Sequence, residues 1–214
     1  MTTFASVLVQ CPICGNKWES AALTSSNAFG SMDLDTRPPE MARSTMCFWL
    51  YECPECGYVA RNMNGKATIG KEFLKTEKYV TCDGYTFENS LAKAFYRHHL
   101  IMLESGEIMP AITSLLHTIW ACDDAGDENA LTLREKLAEM TEARLKNYCD
   151  PELYIMRADA LRRSYQFDRL ISEYEGKKFY NKLVDQIVSI QIKLAKKKDA
   201  GCYTVDEATR TVEL

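Results

Sequence analysis

Two hydrophobic rhythms divide the chain. Up to about residue 85 the apolar residues come in short bursts, at Ser6–Gln10, Met46–Glu52 and Tyr58–Ala60, punctuated by glycine and proline. β-Branched and aromatic residues in runs this short predict strands. Lys17–Ser20 reads as a return strand after the first burst. From about Phe87 the apolar spacing lengthens to three and four residues, the period of a helix with one buried face. The pattern therefore predicts an α+β, mostly α chain: a β module over residues 1–85, then a helical domain over 86–214.

The helical part can be followed turn by turn. Leu91, Ala94, Phe95, Met102 and Leu103 define a first helix, stopped at Ser105-Gly106. A second starts at Pro110 and carries Ile112, Leu115, Leu116, Ile119 and Trp120 to about Gly126. Asp127 caps a third, which runs through Leu133 and Leu137 to about Tyr148. Asp150-Pro151-Glu152 joins an N-cap, a first-turn proline and an acid suited to the helix dipole, and opens a fourth helix to Arg163. A fifth spans Phe167–Tyr174, closed by Gly176, and a last one begins at Lys178 and ends before Gly201. Helix pairs with short turns predict a tetratricopeptide-like antiparallel array. The segments Trp120–Gly126 and Ala160–Gln166 occupy comparable places, but 40 residues apart rather than the ~34 of the standard repeat. A plain helical bundle is the alternative.

Two cysteine knuckles interrupt the strand region: Cys11-Pro12-Ile13-Cys14-Gly15 and Cys53-Pro54-Glu55-Cys56-Gly57. A Cys-x-x-Cys turn lets two sulfurs reach one ion, and two such turns supply four thiolates, a set that favours zinc or iron. Each proline fixes φ and lacks an N–H, and each glycine permits the left-handed backbone that turns amides toward sulfur. The expectation is one metal ion, zinc, at Cys11, Cys14, Cys53 and Cys56, with iron as the alternative. Four free or redox-active thiols form the competing reading. The remaining cysteines, Cys47, Cys82, Cys122, Cys149 and Cys202, show no pair spacing and read as small apolar core residues.

Composition narrows the class. The 214 residues are 46% hydrophobic and 26% charged, ordinary for a globular protein. No apolar run approaches the roughly 20 residues of a membrane span, and no secretory segment is seen at the start. A cytoplasmic location is expected, where thiols stay reduced. A formal net charge of −4 argues against nucleic acid as a default partner.

The two knuckles, the insertion Phe29–Met41 and Cys56-Gly57-Tyr58 together resemble an uncharacterised prokaryotic family. That family joins an N-terminal zinc-ribbon-like region to a tetratricopeptide-like helical tail. The resemblance is specific from Cys11 to Tyr58 and loose across the helices. It implies zinc at the four knuckle cysteines and a cytoplasmic, scaffold-like protein, and it brings no activity with it.

Three further polar clusters carry candidate chemistry. Asp33, Asp35 and Arg37 lie in the long insertion between the knuckles, where an extended backbone would place all three on one face. They are the candidate ligand-binding residues, for an anion, a peptide terminus or a hard cation. The structural alternative is an Asp–Arg pair pinning the loop to the ribbon. His98 and His99 diverge around a helix and read as packing residues. Arg157, Arg162, Arg163 and Arg169 alternate with acids and read as a solvated mixed face. No phosphate loop, dinucleotide fingerprint or nucleophile elbow is present. The reading is a zinc-stabilised, non-enzymatic interaction protein whose partner is a protein or peptide. The alternatives are a rubredoxin-type iron electron carrier or a nucleic-acid-binding ribbon that stacks bases on Trp18, Trp49, Tyr51 and Tyr58.

Overall fold

The protein is described by a computed structural model covering residues 1–213. It is mostly helical with two small antiparallel sheets. The strands are β1 (Thr3–Gln10), β2 (Lys17–Ser25), β3 (Tyr51–Glu52) and β4 (Val59–Ala60). The helices are α1 (Glu77–Val80), α2 (Ser90–Glu104), α3 (Ile108–Ala125), α4 (Asn129–Leu145), α5 (Pro151–Arg163), α6 (Phe167–Tyr174), α7 (Lys182–Lys196) and α8 (Val205–Glu213). None is long and apolar enough to cross a membrane. Two compact units emerge: Met1–Ala28 with Glu40–Ala130, and Phe29–Pro39 with Leu131 onward.

In the first unit, β1 pairs with β2 through Gln10↔Lys17 and Val9↔Trp18, and β3 pairs with β4 through Glu52↔Val59. Each knuckle is thus the turn of a hairpin. Helices α2 and α3 form a helical hairpin whose core is Phe95, Leu100, Ile101, Ile112, Leu115 and Ile119, all essentially sealed from solvent. The stretch Met46–Glu52 is not the strand its composition predicts. Residues Arg43–Phe48 form a 3-10 helix, and only Tyr51–Glu52 is extended. Local bonds capture this segment: the Thr45 hydroxyl donates to the Ala42 carbonyl (2.7 Å), and Trp49 Nε1 donates to Thr45 Oγ1 (3.0 Å). Hydroxyl-to-backbone bonds of this kind compete with a sheet ladder.

In the second unit, α7 packs on α5 and α6 over Leu153, Leu161, Leu170, Ile187 and Leu194. Helix α7 begins at Lys182 rather than Lys178, because Asn181 Oδ1 accepts from the Leu183 and Val184 amides as its N-cap. Helix α8 lies beyond the last helix that the apolar period predicts. It opens with a capping box: the Glu207 carboxylate accepts from the Thr204 amide (2.9 Å), and the Glu207 amide donates to Thr204 Oγ1 (3.2 Å).

Four helices end alike. After α2, α3, α5 and α7, a left-handed residue (Gly106, Gly126, Tyr165, Lys198) is followed by an amide that bonds to the carbonyl five residues back. The pairs are Glu107–Met102, Asp127–Cys122, Gln166–Leu161 and Asp199–Leu194. This is the Schellman closure, which satisfies carbonyls otherwise orphaned at a helix end.

Candidate metal centre

The two knuckles repeat one hydrogen-bond pattern. The Cys11 amide donates to the Asn16 carbonyl (2.8 Å), and the Cys53 amide donates to Tyr58 (2.9 Å). The Gly15 amide returns to the Cys11 carbonyl and the Gly57 amide to Cys53, both at 2.9 Å. Gly15 and Gly57 take φ of 77° and 70°, the left-handed geometry this closure needs. Amides two residues on then face sulfur, from Asn16 toward Cys14 and from Tyr58 toward Cys56.

These turns bring Cys11, Cys14, Cys53 and Cys56 together, with all four Sγ atoms within 4.8 Å of one another. The Cys11–Cys56 and Cys14–Cys53 separations are both 3.6 Å. Four sulfurs about 2.3 Å from one ion stand about 3.8 Å apart at the corners of a tetrahedron. The group therefore has the size and donor chemistry to hold a metal ion. None of the four is bridged to another cysteine. Cys11 and Cys53 are 2% and 1% exposed, while Cys14 and Cys56 reach the surface in part.

Titration of the thiols expresses the same geometry. Burial pushes Cys11 and Cys56 up from the ordinary thiol range, whereas the Asn16 amide draws Cys14 down. A protein-only site resists gathering negative charge, and a divalent cation reverses that balance, since coordinating thiols deprotonate.

The second knuckle is braced by residues that no spacing in the sequence marks. Tyr79, on α1, donates its phenol hydrogen to the Gly57 carbonyl at 2.6 Å. Arg97, on α2, bonds Glu52 on β3 at 2.9 Å and lies over the Tyr79 ring at 5.3 Å. Arg97 also comes close to the knuckle backbone: its Nη1 stands 3.7 Å from where a Cβ on Gly57 would be. The tyrosine and arginine thus fix the turn and supply positive charge beside it. Their sequence distance from Cys53 hides both.

Asp33, Asp35 and Arg37 are placed in the second unit, and they do not share an extended face. The segment is a tight turn: the Asp33 amide donates to the Arg37 carbonyl (2.9 Å), and Thr36 takes φ of 77°. All three are buried. Asp35 Oδ1 accepts from the Arg37 amide (3.1 Å) and Oδ2 lies 4.0 Å from Arg163. Asp33 receives the Cys202 thiol at 3.9 Å, and the backbone of Leu34 is bonded by Gln191 and Tyr203. Loop and C-terminal helices share one polar network.

Two of the arginines predicted to lie on a solvated face, Arg162 and Arg163, are part of it, whereas Arg157 and Arg169 pair with Glu142 and Glu173. Arg162 is 0% exposed, with Nη2 on Asp159 (2.9 Å), Nη1 on the Asp199 and Gly201 carbonyls, and Nε on Gln191. Arg157 is likewise buried, bonded to Glu173 and to the Ala138 carbonyl. The Arg162 guanidinium is tolerated inside because each of its three nitrogens finds an acceptor. Burial pushes Asp35 up to about 6, with Asp159 and Asp33 adding repulsion. Burial also opposes ionisation of Asp159, but Arg162, Arg163 and Arg134 outweigh it and hold that carboxyl low.

His98 and His99 are buried packing residues. His98 Nδ1 meets Ser114 Oγ (2.6 Å), and His99 Nδ1 meets the Ala111 carbonyl (2.8 Å). Of the five other cysteines, Cys82 and Cys122 are buried, but Cys47, Cys149 and Cys202 are exposed, contrary to a core role for all five. Cys47 is exposed on the 3-10 helix that replaced the expected strand.

Scans of the chain against protein-family models, curated proteins and solved structures return no match. What stands is a four-cysteine group able to hold a metal ion, carried by a mostly helical chain with two small sheets.

Proposed function

We propose that this protein is a zinc-stabilised, non-enzymatic interaction protein of the cytoplasm. One observation carries the reading: four unbridged sulfurs from two identically bonded knuckles, at tetrathiolate spacing. The metal is structural in this account. Four protein sulfurs fill a tetrahedral ion's shell, whereas catalytic zinc keeps a position for water or substrate. The knuckle hairpins are ribbon-like, and their strands β3 and β4 are two residues each, too short to stand alone. Metal binding, roughly 10–16 kcal/mol for structural sites at neutral pH, supplies the folding energy they lack. The helical hairpins, read as a tetratricopeptide-like array, offer surface for a protein or peptide partner.

Metal content of protein purified without added metal, followed by chelation, tests the reading. One zinc per chain is expected, and chelation should expose residues 1–60 to protease while most helical signal survives. Unchanged protease resistance after the metal is gone contradicts a structural role. A red iron-loaded product contradicts zinc and favours electron transfer. Affinity capture with zinc-loaded bait should then recover a protein partner that a tetra-serine variant does not.

A further inference from the structure

The end of α6, the loop after it and the middle of α7 enclose a cleft of about 320 Å³. That is the lower end of the size range of small-molecule sites. Tyr174, Phe179, Val188 and Ile192 give it an apolar lining, with Tyr174 and Val188 buried. Apolar surface held in a concavity favours a ligand with an apolar body.

The charges around it are unevenly matched. Lys177, Lys193 and Lys196 line the cleft together with two acids, Glu175 and Asp185. Glu175 is taken by Lys196. Asp185 is turned to the entry of α7, where it accepts the Phe179 amide at 2.9 Å. Lys177 and Lys193 have no carboxylate partner among the described residues. Lys177 is instead held by rings: its Nζ lies 4.6 Å from the Tyr154 centroid and 5.6 Å from those of Tyr174 and Phe179. Ring faces position an ammonium without neutralising it. The lysine is thus fixed at the cleft with its charge still available.

We infer that this cleft binds a small organic carboxylate with an apolar body, such as an aryl or branched-chain acid. Three ammonium groups against two carboxylates leave a surplus of one positive charge, which suits a monoanion. The apolar lining takes the body, and Lys177 and Lys193 meet the carboxylate. This inference does not depend on the metal reading, because every residue it uses lies in the second unit.

The test is an amide-resolved NMR titration of the full, metal-loaded chain with benzoate and with 3-methylbutanoate. Benzamide, which lacks the charge, and inorganic phosphate, which lacks the apolar body, are the comparison ligands. Saturable millimolar binding of the carboxylates is expected, with shifts confined to residues 174–196. Lys177→Met and Lys193→Met should each weaken it about fivefold, the scale of one partly exposed charge pair. The rest of the spectrum reports that both variants fold. Absence of saturable shifts overturns the inference, as do equal binding of benzamide, binding of phosphate as tight as benzoate, or undiminished binding by both variants.

Discussion

The Tyr79 hydroxyl and the Gly57 carbonyl lie 2.6 Å apart, so a helix outside the sheets holds the turn that presents Cys53 and Cys56. Tyr79 is buried, and Tyr79→Phe leaves that carbonyl short of its donor. The expected loss is about 1–3 kcal/mol of stability in the first unit. Competition against a colorimetric chelator should show faster zinc release from the variant. Identical release from both proteins would mean that the tyrosine does not support the knuckle.

Gly15 and Gly57 hold positive φ, and a Cβ on either would meet nothing closer than 3.7 Å. The cost of alanine is therefore conformational rather than steric, about 1–2 kcal/mol at each position. Asparagine visits the left-handed region more easily, so Gly15→Asn should cost less than Gly15→Ala. Thermal unfolding of the zinc-loaded variants gives the order. Equal losses for the two substitutions would point to a different cause.

Asp35 titrates higher in the folded chain than in the unfolded one, about 6 against 3.8. The folded state holds that proton more tightly, so this group's contribution is full below 3.8 and is lost as pH rises through about 6. Asp35→Asn keeps an oxygen for the Arg37 amide and carries no charge to desolvate. Its stability relative to the parent should therefore rise between pH 4 and pH 8, by on the order of 2 kcal/mol. Denaturant melts at both pH values test this. A difference that stays flat or falls with pH would show that the Arg163 contact outweighs burial.

Arg162 supports Asp159, Gln191 and two backbone carbonyls from inside the second unit. Arg162→Ala removes the cation bonded to a buried carboxylate and should cost about 3–5 kcal/mol. Adding Asp159→Asn should recover part of that loss, because the buried charge that lost its bonded cation is then gone. A double variant no more stable than the single one would place the energy in the carbonyl contacts instead.

The knuckles were legible because their chemistry is local. Proline, glycine and two cysteines within five residues specify the turn, and repeating them supplies the four sulfurs of a group able to hold a metal ion. Helices α2, α3 and α5 were legible from period and caps. The Schellman closures at Gly106 and Gly126 announce themselves, but those at Tyr165 and Lys198 use residues with no intrinsic preference for the left-handed region. Helix α8 carried a readable capping box in Thr204 and Glu207, which the apolar period overshadowed. The network around Asp35 and Arg162 was not legible. Arg162 alternates with acids as a solvated helix face does, and nothing local says that its acceptors arrive from residues 159, 191, 199 and 201. Tyr79 and Arg97 were hidden for the same reason.

The central claim is most directly tested by X-ray absorption at the metal edge of the protein as purified. The account predicts zinc with four sulfur neighbours at about 2.3 Å and no nitrogen or oxygen in the shell. A shell containing fewer than four sulfurs, or a preparation with no bound metal, would contradict it.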